Sequence, residues 1–215
     1  MNNKNELTEM IFILDRSGSM AGLESDTIGG FNALIEKQKK EEGKAYVTTV
    51  LFDNQQKTVH DRIDLAEVAP MTDKEYYVGG STALLDAVGD TVTHIEKVHK
   101  YIRPEDVPAN TMVVITTDGM ENASHQWRAS DVKKLVEKKK EDGWEFLFLG
   151  ADIDAVHEAA RFGIGADRSV TYKKDSVGMA MSFDVLEDSV SCLRKGRGIA
   201  KDWSKKLEDD YKNRG

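Results

Sequence analysis

Two carboxylates and three hydroxyls stand where a cation could be held. Asp15, Ser17 and Ser19 sit at spacing two in "MIFILDRSGSM", directly after the apolar run Ile11–Leu14. Asp118 follows a second apolar run in "TMVVITTDG", and Thr82 lies in "GGSTALLDAV" before a helical pattern. A buried strand that ends in an acid and two hydroxyls is placing polar groups for use. Oxygen-only donors suit a hard divalent ion, Mg²⁺ with Mn²⁺ also possible. No His or Cys accompanies the five, which disfavours zinc. Each fragment alone has a plain alternative, since serine-rich turns and Asp-Gly turns are common.

The elements around these residues bring them together. "MIFIL", "AYVTTVLF", "TMVVITTDG" and "WEFLFLG" read as strands, most of them buried on both faces. "KTVHDRIDL" alternates like a half-exposed edge strand, and "RSVTY" reads as a last strand. Between them lie helical patterns. One carries Ile28, Phe31, Leu34 and Ile35, with Gly43 as its stop. Another carries Leu84, Leu85, Val88, Val92, Ile95 and Val98. "SDVKKLVEKKKEDG" has Ser130 as an expected N-cap and a lysine-rich, solvated face. A short helix is expected through Val156, Ala160 and Phe162, and a longer one through Phe183, Leu186, Val190 and Leu193. Strands alternating with helices imply an α/β fold: a doubly wound, mostly parallel sheet with one antiparallel edge strand and helices on both faces. In such sheets ligands bind beyond the carboxyl ends of the strands. Asp15, Ser17, Ser19, Thr82 and Asp118 would all open on that rim.

"DRSGSM", "GGSTALLDAV" and "TTDG", in this order on this strand pattern, resemble a von Willebrand factor A (VWA) domain with a metal-ion-dependent adhesion site. The resemblance covers residues 8–193, and small stand-alone bacterial members look most similar. It implies that Ser17 and Ser19 bind the metal directly, and that Thr82 does so when the site is engaged. Asp15 and Asp118 would act through waters or by hydrogen-bonding the hydroxyls. Neutral hydroxyls leave the ion electrophilic, so a partner's Asp or Glu can complete its shell. The implied function is Mg²⁺-dependent protein–protein binding, not catalysis. Some members of this kind act beside AAA-type ATPases, which makes such an ATPase a possible partner by analogy alone.

The competing reading is a Mg²⁺-dependent phosphatase of the haloacid-dehalogenase type, with Asp15 as nucleophile. That chemistry needs a general acid two residues on, where this chain has Ser17. Phosphate-binding G-x-x-x-x-G-K-[ST] and hydrolase G-x-S-x-G motifs are absent from the 215 residues. Asp53 and Asn54 end another strand on the rim, either as a turn or as support for the site. Glu121 and Asn122 either shape partner choice or fill a loop.

Composition narrows the rest. A net charge of -8 argues against general nucleic-acid binding. No apolar run approaches the roughly 18 residues of a membrane span. The polar start "MNNKNELTE" leaves no room for a signal peptide, so a cytoplasmic protein is expected. The single Cys192 fits a reducing compartment and reads as a small core residue. The five histidines share no metal spacing and read as surface residues. Residues 194–215 form a basic helical extension, net +4 against −12 for the remainder. Within it Ile199, Trp203, Leu207 and Tyr211 recur at spacing four, the pattern of a docked helix.

Overall fold

A computed structural model describes residues 7–214; the polar segment 1–6 lies outside the described residues. The six strands are β1 (Thr8–Asp15), β2 (Ala45–Phe52), β3 (Gln56–Asp64), β4 (Asn110–Thr117), β5 (Glu145–Ala151) and β6 (Ser169–Tyr172). They form one sheet in the order β3-β2-β1-β4-β5-β6. All neighbours are parallel except β2 and β3, so the expected antiparallel edge strand is β3.

The helices are α1 (Glu24–Gln38), α2 (Leu84–Tyr101), α3 (Ala129–Glu141), α4 (Ala155–Arg161), α5 (Ser176–Arg194) and α6 (Lys205–Arg214). Strand alternation sorts the core into two layers. Met10, Phe12 and Leu14 of β1 point into the layer under α1, α5 and α6. Ile11 and Ile13 point the other way, into the layer under α2, α3 and α4. Every residue of β1 is buried, as a central strand covered on both faces requires.

Because β3 runs antiparallel, it delivers the chain to the far end of the sheet from the site. The connection to α2 must climb back, and Val68, Met71 and Tyr76 bury themselves on the way. Asn32 of α1 holds it halfway, exchanging two hydrogen bonds of 2.8 and 2.9 Å with Met71.

Five details correct the sequence reading. Arg128 rather than Ser130 precedes α3, and Ser130 lies inside its first turn. In α4 the buried side is Ala155 and Ala159, followed by Phe162, while Val156 and Ala160 face solvent. The error was one residue of register in a helix too short for periodicity to fix. His60 is buried, 6% exposed, because its strand position faces the core, where it stacks on Phe31. Residues 199–204 are irregular chain and turn rather than helix, and α6 starts at Lys205. Ile199, Trp203 and Leu207 nonetheless join the main core, while Tyr211 is only partly buried. Cys192 is a half-buried free thiol rather than a core residue.

Candidate metal centre

The sheet order reverses between β1 and β4, since β2 lies to one side of β1 and β5 to the other side of β4. The chain leaves these two central strands toward opposite faces, and a crevice opens between them. Asp15 and Asp118 lie at its two lips. Leu14 pairs with Thr116, so the register sets Asp15 beside Thr117.

Asp15 is fully buried, and both of its oxygens are engaged. The Thr117 hydroxyl donates to Oδ2 at 2.6 Å, and the Ser17 backbone N–H donates to Oδ1 at 2.7 Å. The phenol of Tyr76 donates to the Asp15 carbonyl at 2.7 Å. Burial pushes the Asp15 carboxyl above its ordinary range, opposed by the hydrogen bonds from Thr117 and Ser17. A fixed cation would supply the opposite pull.

The hydroxyls form a line toward Asp118. Ser17 and Ser19 lie 3.0 Å apart, Oγ to Oγ, and Ser19 donates to Asp118 Oδ1 at 2.6 Å. With that proton committed to Asp118, Ser17 donates to Ser19. Both hydroxyls keep lone pairs for a further acceptor role. Thr82 closes the group: a Cβ at Gly119 would lie 3.1 Å from Thr82 Oγ1 and 3.8 Å from Ser19 Oγ. The structure therefore brings together all five residues singled out in the sequence. Ser19 is exposed, whereas the other four are buried, so the site opens through Ser19.

The donor set suits a hard cation on one further observation. Asp118 Oδ2 is buried and accepts no hydrogen bond, so what compensates it is positive charge alone. Its nearest charge is the Lys174 ammonium, 2.9 Å away but not aligned as a hydrogen-bond donor. A bound metal ion would take over the place that this ammonium fills. Among the described residues no cluster of three His, Cys, Asp or Glu forms a rival site.

Backbone bonds stitch the loops into one unit. Gly79 N–H donates to the Arg16 carbonyl at 2.9 Å, and Gly18 N–H donates to the Gly80 carbonyl at 3.1 Å. Gly80 has φ +70, and a Cβ there would fall 2.1 Å from Asn54 Oδ1, so any other residue would be strained and would displace the Asn54 side chain. The buried Arg16 guanidinium is held by Asp53 at 3.1 Å and covered by the Tyr77 ring at 4.7 Å. Asp53 is thus both a turn residue, accepting from Gln55 N–H, and a brace for the first loop.

Sequence reasoning missed three supporting residues, Thr117, Tyr76 and Lys174, and left the roles of Glu121 and Asn122 open. Thr117 had a signal, a polar residue at the end of a buried strand. Asn122 was noticed, but its contact with Thr82 was not foreseen. Its Oδ1 accepts from Thr82 N–H at 2.9 Å and its own N–H donates to the Thr82 carbonyl at 3.0 Å, which fixes Thr82 in place. Glu121 caps the start of α2 by accepting from Leu85 N–H at 2.8 Å. Tyr76 and Lys174 carry no local signal, because their roles exist only across the fold.

No protein-family model matches the chain, and no curated protein matches it in sequence. Solved structures match in shape. One is proximal thread matrix protein 1 from the mussel byssus with a zinc-occupied MIDAS motif, at TM-score 0.58 and 12% identity, covering 86% of this chain and 46% of that one. Another is the vWF domain of the type V pili tip protein Mfa5 from Porphyromonas gingivalis, at TM-score 0.63 and 10% identity, covering 85% and 94%. A third is a von Willebrand factor type A structure from Catenulispora acidiphila, at TM-score 0.61 and 14% identity, covering 86% and 42%. The chain spans about half the length of the byssus protein structures it matches. The sheet order, the antiparallel edge and these matches together give the chain the von Willebrand factor A fold.

Proposed function

We propose that this protein is a divalent-cation-dependent protein-binding module. Asp15, Ser17, Ser19, Thr82 and Asp118 hold Mg²⁺, or Mn²⁺ in its place, and the ion receives an Asp or Glu of a protein partner. The observation that carries this reading is Asp118 Oδ2: a buried carboxylate oxygen that accepts no hydrogen bond and already draws a cationic group, beside two hydroxyls with free lone pairs. When bound, the ion would supply an electrophilic point charge for the incoming carboxylate. The chain's own residues orient the donors: Thr117 and the Ser17 N–H fix Asp15, and Asn122 fixes Thr82. The rim around the site supports a binding role. Tyr77, Met120, Val156 and Val177 are exposed, and each lies in a loop or first helical turn at the carboxyl end of the sheet.

Zinc fits an oxygen-only set poorly, although a structural neighbour carries zinc in its MIDAS. The phosphatase alternative is weak here: Asp15 is buried with both oxygens engaged, so it cannot attack phosphorus without breaking its supports. An AAA-type ATPase partner draws no argument from the site. A cytoplasmic setting fits the free thiol of Cys192. Among the described residues no helix is long and apolar enough to cross a membrane.

Calorimetric titration with Mg²⁺ and Mn²⁺ tests the centre. Wild type should bind one ion, and the near-isosteric Asp15→Asn should lose at least tenfold in affinity while keeping its circular dichroism spectrum. Equal affinity in the two folded proteins would overturn the assignment. Capture of partners from extract with and without chelator tests the binding role. Hydrolysis of a generic phosphate ester with Mg²⁺, lost in Asp15→Asn, would favour the enzyme instead.

A further inference from the structure

We propose that Lys174 is a tethered internal cation that competes with the divalent ion for Asp118, and that α6 holds it in place. The inference rests on the metal-binding reading above. Lys174 Nζ lies 2.9 Å from Asp118 Oδ2, and its side chain is only 30% exposed. Oδ2 is the carboxylate oxygen that Ser19 leaves free, and the ammonium is the charge nearest to it. A positive group so close neutralises Asp118 without a metal and repels a second cation drawn to the same carboxylate. The site thus contains its own low-affinity substitute for the ion.

The tether is visible on both sides of the lysine. Its backbone N–H donates to Asp152 Oδ2 at 3.2 Å, and Asp152 sits in the left-handed region at φ +50, at the end of β5. The preceding residue, Lys173, places its ammonium 4.5 Å from the centre of the Tyr211 ring. The following residue, Asp175, pairs with Arg214 at 2.5 Å and caps α5 by accepting from Gly178 N–H. Tyr211 and Arg214 both belong to α6. The last helix therefore grips the residues flanking Lys174, and its docking and the charge at Asp118 become linked. Such linkage means that whatever loosens α6 favours the metal, and the metal in turn weakens the hold of α6 on this loop.

The rival explanation is a plain structural ion pair with no bearing on metal. Mn²⁺ affinity of the full chain, stripped with chelator, separates the two. Lys174→Met should raise affinity about tenfold or more, Lys174→Gln should do the same, and Lys174→Arg should stay near wild type. Arg214→Met should give a smaller rise, through loss of the clamp alone. Affinity unchanged or lowered in both neutral variants, with wild type still binding, would overturn the role of Lys174 and leave the metal centre standing. Unchanged affinity in Arg214→Met would overturn the clamp. Failure of wild type and of both neutral variants to bind Mn²⁺ would overturn the metal centre and this inference with it. Binding confined to the neutral variants would support it most strongly.

Discussion

Asp15 and Thr82 contribute to the site in different ways, and substitutions should separate them. Asp15 brings charge at a buried point, whereas Thr82 brings one neutral hydroxyl among three. Thr82→Ala should weaken Mn²⁺ binding by less than Asp15→Asn does, yet reduce partner capture strongly; equal capture by mutant and wild type would argue against a role for Thr82 in engagement. Asn122→Ala should imitate this more mildly, because it releases Thr82 rather than removing it. His60 offers a test away from the site. Burial holds its imidazole below the ordinary range. The unfolded chain therefore takes up a proton near its normal value, about pH 6.5, before the folded chain does. The stability present above that value is lost as pH falls through the folded value. Urea unfolding at about pH 7.5 and about pH 5.5 should show a drop in wild type that shrinks in His60→Gln.

Helix α6 stands out among the elements because its sequence is so polar. Only Leu207 is fully buried within it, yet Ile199 and Trp203 anchor the approach, and Trp203 Nε1–H donates to the Asp167 carbonyl at 2.9 Å. Leu207→Ala should cost about 2–5 kcal/mol, the usual range for a fully buried leucine, read by denaturant unfolding. Arg194, at the end of α5, does a different job. It donates to the Gln38 carbonyl at 2.6 Å and to the Gly43 carbonyl at 2.8 Å, closing the open C-terminal end of α1. Burial lowers the pKa of this guanidinium, as the desolvation of a charge must. Arg194→Met should cost about 1.5–3 kcal/mol and leave metal affinity unchanged.

At the scale of the whole molecule, metal binding should appear as stability. An ion that binds only the folded chain adds about 2.7 kcal/mol at a hundredfold excess over Kd. For a chain of this size that is roughly 5–10 °C in Tm. Mn²⁺ should give this rise in wild type and about half of it or less in Asp15→Asn, and a thermal scan with and without chelator reads it directly.

Sequence alone determined the strands, most of the helices and which five oxygen-bearing side chains meet on the rim. These are local matters: apolar alternation and period fix which segments pair or pack, and a motif such as "DRSGSM" needs only its own strand end. The single antiparallel edge was legible for the same reason, in the polar alternation of β3. The face of α4 was not, because seven residues give less than two helical periods. Nor was the burial of His60, which depends on which side of β3 meets α1. What only the tertiary structure decided is how the donors are supported and opposed. Thr117 meets Asp15 through the β1–β4 register, Tyr76 through the long climb back from β3, and Asn122 through a contact 40 residues away. Lys174 reaches Asp118 because β6 ends on the same rim as β4, two strands across the sheet. No pattern along the chain encodes that approach, since charges act through space and the distance between them is set only once the sheet has formed.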